Sequence, residues 1–251
     1  MKKTVCVLLA LLSAALFCAC GGRETAVVSN ANASMMIPDS NIVEGGTFSA
    51  KAKEDSSAVD GVKVEPIAYQ EDGKYWFLYL LATNESGEVL HLSADVIFYD
   101  SDGKQISKDY SNAIAVDNGI TTALDFMCNE QFASYEYTIE TFVPAEEYTP
   151  VDKDLDVSVS NEPTSITVSV TNKGERPVLE CRYLALFYDG DTLTHISEGS
   201  CADSSNVIQP GDTVKDVCTY FGRGTFDNTH VYWHGFGAPG STSADTDTDS
   251  D

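Results

Sequence analysis

The sequence predicts an all-β protein built as two tandem antiparallel β-sandwich domains. Three observations carry that expectation. Six residues occur nearly twice, as "IFYDSD" at Ile97–Asp102 and "LFYDGD" at Leu186–Asp191. The stretches leading into them alternate apolar and polar side chains with the two-residue period of a half-buried strand. Turn signals recur roughly every 8–12 residues, the rhythm of a sandwich, and no helical period of useful length lies between them.

The repeat is wider than six residues. One copy reads "WFLYLLATNESGEVLHLSADVIFYDSDGKQIS" and the other "ITVSVTNKGERPVLECRYLALFYDGDTLTHIS". Both run through an apolar strand, a Thr-Asn pair, a glycine-containing turn and a long strand ending in Phe-Tyr-Asp. Asn84 and Tyr99 are 15 residues apart, Asn172 and Tyr188 are 16. Further on, "AVDNGITTALDF" and "VIQPGDTVKDVC" each turn through a glycine, Gly119 or Gly211, into a last strand. Two motifs in one order at near-equal spacing indicate internal duplication.

Taken in order, the chain divides into a signal segment (1–19), a flexible tether (20–61), a first sandwich (62–143), a linker (144–153), a second sandwich (154–236) and an acidic tail (237–251). The first segment, "MKKTVCVLLALLSAALFCAC", has a basic start and an apolar run from Thr4 to Phe17. That run is shorter than the roughly 20 residues of a bilayer span and has the layout of a secretory signal. Its ending, with Ala19 before Cys20 and Gly21–Gly22 after it, resembles a bacterial lipoprotein signal. The resemblance implies cleavage before Cys20 and a diacylglycerol on its thiol. Cys18, preceded by bulky Phe17, is the poorer match, and Phe17 also stands where that family usually has Leu. Two acyl chains, at about 0.8 kcal/mol per buried CH₂, anchor a soluble body durably.

The tether is rich in Ser, Ala, Asn and Gly, with Phe48 its lone aromatic residue; such composition favours a flexible spacer. Within it, "MMIPDSNIVEGGTF" is apolar enough to dock as an extra strand. In the first sandwich, Leu90, Leu92, Ala94, Val96 and Phe98 define one buried strand face; Leu179, Cys181, Tyr183, Ala185 and Phe187 define its counterpart in the second. Asp102-Gly103 predicts a two-residue hairpin turn, and Pro210-Gly211 a β-turn. "DGKYWFLYL" is apolar on both faces, Tyr75, Phe77 and Tyr79 on one and Trp76, Leu78 and Leu80 on the other. Such a strand meets something on its outer side: the linker, the sister domain or a partner. The linker "PAEEYTPVDKD" is kept extended by its prolines, and the tail "GAPGSTSADTDTDSD" has nothing to bury.

The segments "VIFYDSDG" and "LALFYDGD", each preceded by "TN" and an apolar strand, resemble the FxLYD-type immunoglobulin-like domains of bacterial lipoproteins, with Val96 and Ala185 in place of the signature Phe. The likeness covers both repeats. It implies an immunoglobulin-like fold and a place on the extracytoplasmic face of the cell membrane, and it brings no catalytic residues or cofactors.

The formal charge is −24 and becomes −26 once Lys2 and Lys3 leave with the signal. A surface this acidic repels nucleic-acid backbones, so no nucleic-acid partner is expected; solubility explains the charge most simply. Four cysteines remain beyond Cys20. An extracytoplasmic site permits disulfides, and Cys181, Cys201 and Cys218 are the candidates within the second repeat: Cys181 with Cys218 across the sandwich, or Cys201 with Cys218. Cys128 is alone in the first repeat, and buried free thiols are the alternative.

A search for chemistry finds no catalytic or metal-binding set. His230 and His234 share a strand face but lie about 13 Å apart by strand rise. His91 and His195 occupy non-equivalent repeat positions and read as surface or edge residues. Asp100–Asp102 and Asp189–Asp191 lack the spacing of an EF-hand and read as turn residues bonding their own backbone. There is no Gly-x-Ser-x-Gly elbow and no phosphate loop. The expectation is therefore a non-catalytic, lipid-anchored extracytoplasmic protein that uses two immunoglobulin-like domains for protein contact or as an envelope spacer. The alternative is a binding protein for a small ligand, carbohydrate or Ca²⁺ at the domain ends or the inter-domain cleft.

Overall fold

The computed structural model describes residues 26–29, 45–71, 73–222 and 224–238. The signal, Cys20 and the acidic tail beyond residue 238 lie outside the described residues. The protein is nearly all β, in several antiparallel sheets of sandwich type. The strands are β1 (Ala26–Ser29), β2 (Gly46–Thr47), β3 (Lys51–Ala52), β4 (Ser57–Ala58), β5 (Val62–Glu71), β6 (Tyr75–Asn84), β7 (Leu90–Tyr99), β8 (Gln105–Val116), β9 (Thr121–Cys128) and β10 (Ser134–Phe142). They continue with β11 (Thr149–Pro150), β12 (Leu155–Glu162), β13 (Ser165–Asn172), β14 (Val178–Asp189), β15 (Thr192–Ala202), β16 (Thr213–Thr219) and β17 (Asn228–Gly237). One 3-10 turn, Asp152–Asp154, precedes β12.

The duplication appears strand for strand. In the first half, β5-β6-β9 form one sheet and β10-β7-β8 the other; in the second, β12-β13-β16 and β17-β14-β15 take the same places in the same order. Each pair of sheets closes on its own core. Leu78, Leu80, Phe98, Phe126 and Phe132 fill the first; Val168, Phe187, Tyr220 and Phe226 fill the second. Each such side chain, fully buried, contributes about 1.5–3 kcal/mol of transfer free energy. The duplicated Phe is the centre of both cores, with Phe98 and Phe187 wholly inaccessible.

The Thr-Asn pair has an equally local explanation. Asn84 and Asn172 are fully buried. Asn84 Nδ2 donates to the carbonyls of Glu88 (2.7 Å) and Val116 (2.9 Å), and Asn172 Nδ2 to those of Arg176 (2.7 Å) and Ile208 (3.1 Å). The Asn84 side-chain oxygen accepts from Ser86 N and that of Asn172 from Gly174 N. The preceding threonines pair across the sheet at 2.8 Å, Thr83 with Thr121 and Thr171 with Thr213. Each buried Asn side chain thus bonds carbonyls from two separate stretches of chain and is itself satisfied in doing so. The partner glycine is needed for its backbone: Gly119 and Gly211 sit at φ of 83° and 85°, and their N–H groups donate to the carbonyls of Asn84 and Asn172.

Two expectations change. The chain between Tyr99 and Gln105 does not make a two-residue turn on Asp102-Gly103. Asp100 accepts from Gly103 N, Asp100 N donates to Lys104, and only Gly103 has positive φ; this is a longer turn with a bulge at glycine. Its second copy is the tight one, Gly190–Asp191 between the paired Asp189 and Thr192. The span 20–61 is also not purely a spacer. β2 pairs with β5, β3 and β4 run parallel to β10, and β1 pairs antiparallel with β17 in the second half. The segment leading into the first sandwich is pinned by Lys53, whose ammonium sits 3.3 Å from the centroid of the Tyr99 ring.

A third apolar cluster joins the two halves. Tyr69, Tyr79 and Leu81, on the outer face of β5-β6, pack against Leu184, Leu186 and Ile196 on the outer face of β14-β15. Of the partners allowed for the two-faced strand β6, the structure selects the sister domain.

Candidate functional site at the domain junction

The junction is where polar chemistry concentrates. Each seam strand carries apolar side chains on both faces, inward to its own sandwich and outward to the other. At one end of the seam the Tyr69 hydroxyl lies 3.3 Å from His195 Nδ1. Burial lowers His195 to about 4, so the imidazole is neutral near pH 7, and its tautomer sets which of Nδ1 and the Tyr69 hydroxyl donates. Burial in turn pushes Tyr69 up to about 12. His195 is 3% exposed, and so is no surface histidine.

Beside the seam, Asp125, Glu180, Arg182, Glu198, Trp233 and His234 line a cleft of about 140 Å³. Burial raises the Glu198 carboxyl above its ordinary range, helped by nearby Asp125; the Tyr79 hydroxyl and Arg182 oppose the shift. Arg182 Nε also pairs with Glu180 at 3.1 Å.

His234 closes the far side of this cleft. Its Nδ1 lies 3.1 Å from Asp152 Oδ2, and its Nε2 lies 2.8 Å from the carbonyl of Ile114 in the first sandwich. The other carboxylate oxygen of Asp152 accepts from Gly235 N at 3.0 Å. Both ring nitrogens therefore face acceptors, which suits the protonated imidazolium. Burial acts to lower the His234 pKa, but Asp152, the Ile114 carbonyl and Glu180 together outweigh it and raise it. The carbonyl is aimed there by an irregularity in β8. Leu90 pairs with Val116 and Leu92 with Ala113, so two residues of β8 oppose one of β7, and Ala115 adopts a φ of 57°. A bulge of this kind re-aims a group out of the ladder. Nearby, Lys153 binds Asp117 at 2.6 Å and ties the linker to the first sandwich.

The predicted site residues are placed as follows. Cys20 lies outside the described residues. Cys181, Cys201 and Cys218 are buried thiols in the second core and Cys128 is one in the first, and no disulfide joins any two of them. Burial pushes Cys201 up to about 12 and Cys218 up to about 11, so both thiols are protonated and poorly nucleophilic near neutrality. Asp100 bonds its own turn, Oδ1 accepting from Asp102 N and Lys104 N; the counterpart turn is held by Asp227, which accepts from Gly190 N. Among the described residues no group of three or more His, Cys, Asp or Glu side chains is arranged to hold a metal ion. Sequence reasoning missed Leu184 and Leu186, whose apolar character on the outer face of β14 repeats the signal seen in β6. It also missed Asp152, a short acid in a linker with no local signal.

No family model and no curated protein matches the chain. Solved structures do. A red sea bream transglutaminase aligns with 70% of this chain and 29% of its own length, at 11% identity and a TM-score of 0.24. The CBM22-1-CBM22-2 tandem domain from Paenibacillus barcinonensis Xyn10C aligns with 84% of this chain and all of its own, at 12% identity and a TM-score of 0.12. The chain thus spans less than a third of the transglutaminase it matches. The all-β sandwich architecture rests on the strands themselves.

Proposed function

We propose that the protein is a non-catalytic, lipid-anchored extracytoplasmic protein whose two immunoglobulin-like sandwiches act as one body for contact with another envelope protein. The observation that carries this reading is the N-terminal run ending in Ala19-Cys20-Gly21-Gly22. The apolar seam supports its second half: sandwiches joined face to face present a single surface, where a flexible string of modules would reach further. The test is Cys20→Ala. Fatty-acid labelling should disappear, and the protein should leave the membrane fraction or remain unprocessed. Unchanged retention with labelling intact refutes the anchor.

A second reading is binding of a small ligand, carbohydrate or Ca²⁺; the cleft, lined by Asp125, Glu180, Glu198, Arg182 and Trp233, favours the first two. Carboxylates beside an indole suit a sugar. Thermal-shift titration with Ca²⁺, chelator and a glycan panel separates the two: a flat response throughout removes the ligand reading.

A further inference from the structure

We infer that β1 fixes the second sandwich, at its β17 edge, as the part of the body held closest to the lipid surface. The inference rests on the lipid-anchor reading above and adds an orientation to it. In the register of the two strands, Ala26 faces Val231, Val27 faces His230, Val28 faces Thr229 and Ser29 faces Asn228. Six residue steps separate Cys20 from Ala26, and six fully extended residues span at most about 20 Å. A lipid on Cys20 therefore holds the β17 edge within that distance. A flexible spacer over 20–61 would instead place the first sandwich nearest the membrane, at an r.m.s. reach of roughly 35–40 Å.

The fold explains why β17 takes a strand from so far upstream. In the unit that is duplicated, β10 or β17 is the outermost strand of its sheet, and a bare edge there would invite pairing with other chains. In the first half the chain just before the sandwich covers β10 with β3 and β4. In the second half the chain just before it supplies only β11, opposite Phe236–Gly237, and the Asp152 carboxylate at Gly235 N. Residues 228–234 are left, and β1 covers four of them, 228–231. It does so through its backbone, the mode of strand addition, and it lies beside β12 as well.

The test uses the lipidated protein in phosphatidylcholine vesicles that carry an acceptor-labelled lipid. A donor dye is attached through Ser160→Cys on β12 or Glu140→Cys on β10; both positions are exposed, and the native thiols described are buried. Energy transfer should be several-fold stronger from position 160. The double variant Val27→Pro/Val28→Pro removes adjacent backbone donors, one of which points at β17; it should keep the protein on the vesicle and lower transfer from position 160. Equal transfer from both positions, or no change in the proline variant, overturns the orientation. Docking is read separately by Val27→Cys/His230→Cys, whose antiparallel Cα spacing suits a disulfide. An intrachain bond on mild oxidation supports the inference. No bond, or a bond between two chains, overturns it even where Cys20 is lipidated. Unchanged membrane retention of Cys20→Ala with fatty-acid labelling intact overturns the anchor and the orientation together, while the intrachain bond still forms.

Discussion

At the scale of single residues, the two junction histidines respond to pH in opposite directions. His234 has a folded pKa above its unfolded value, because Asp152, the Ile114 carbonyl and the charge of Glu180 outweigh burial. Its contribution is full below the unfolded pKa near 6.5 and is lost as pH rises through the folded value. His195 is lowered by burial from 6.5 to about 4. It favours the folded state above 6.5, and that advantage is lost as pH falls toward 4, a shift worth on the order of 3 kcal/mol. The denaturation midpoint should therefore peak near pH 6–7. His234→Gln should flatten the alkaline limb and His195→Gln the acid limb; a midpoint whose two limbs are untouched by these variants contradicts the assignment. The buried asparagines act differently, through hydrogen bonds and not charge. Asn172→Ala leaves the carbonyls of Arg176 and Ile208 without their side-chain donor, at a cost on the order of 2–3 kcal/mol. Chemical denaturation should show Asn84→Ala and Asn172→Ala to be similarly costly, since their partners are equivalent, and Thr171→Val to cost less.

Elements show what was legible in the chain and what was not. The Thr-Asn pair, the glycine turn and the Phe-Tyr-Asp ending could be read because each does its work within a few dozen residues, and twice. Strand β6 announced a partner through apolar side chains on both faces. Strand β14 carries the same signal in Leu184 and Leu186, but Tyr183, Ala185 and Phe187 on its other face already account for a buried strand, which masks it. Asp152 and His234 are 82 residues apart, and nothing local marks either as half of an ion pair. The four residues of β1 are too few to display a period. Close approaches are equally silent. A Cβ on Gly199 of β15 would fall within the ring of Tyr183 on β14, whose hydroxyl donates to Asp216 on β16 at 2.7 Å. The missing side chain thus lets one tyrosine span the two sheets of the second sandwich. Gly199→Ala should cost roughly 1–3 kcal/mol by overpacking, and less in a Tyr183→Leu background. Equal cost in both backgrounds would show that the ring is not what the methyl meets.

For the whole molecule, the seam decides whether duplication produced two independent modules or one body. Tyr69, Tyr79 and Leu81 meet Leu184, Leu186 and Ile196 with each of the six nearly inaccessible, yet none of them belongs to either sandwich core. A substitution here therefore tests association of the halves while leaving each fold intact. Leu186→Asp places a carboxylate in that apolar layer, where an unpaired charge is strongly disfavoured. The halves should part: one cooperative thermal transition should become two, and small-angle scattering should show a radius of gyration well above the ~17 Å of a compact body of about 200 residues. His234 and Lys153 would still cross the junction, at Ile114 and Asp117, so separation should grow at alkaline pH, where the imidazolium is lost, and at high salt, where the exposed Lys153 ion pair is screened. If Leu186→Asp retains one transition and an unchanged radius at every pH, the polar contacts alone hold the body together and the apolar seam is secondary.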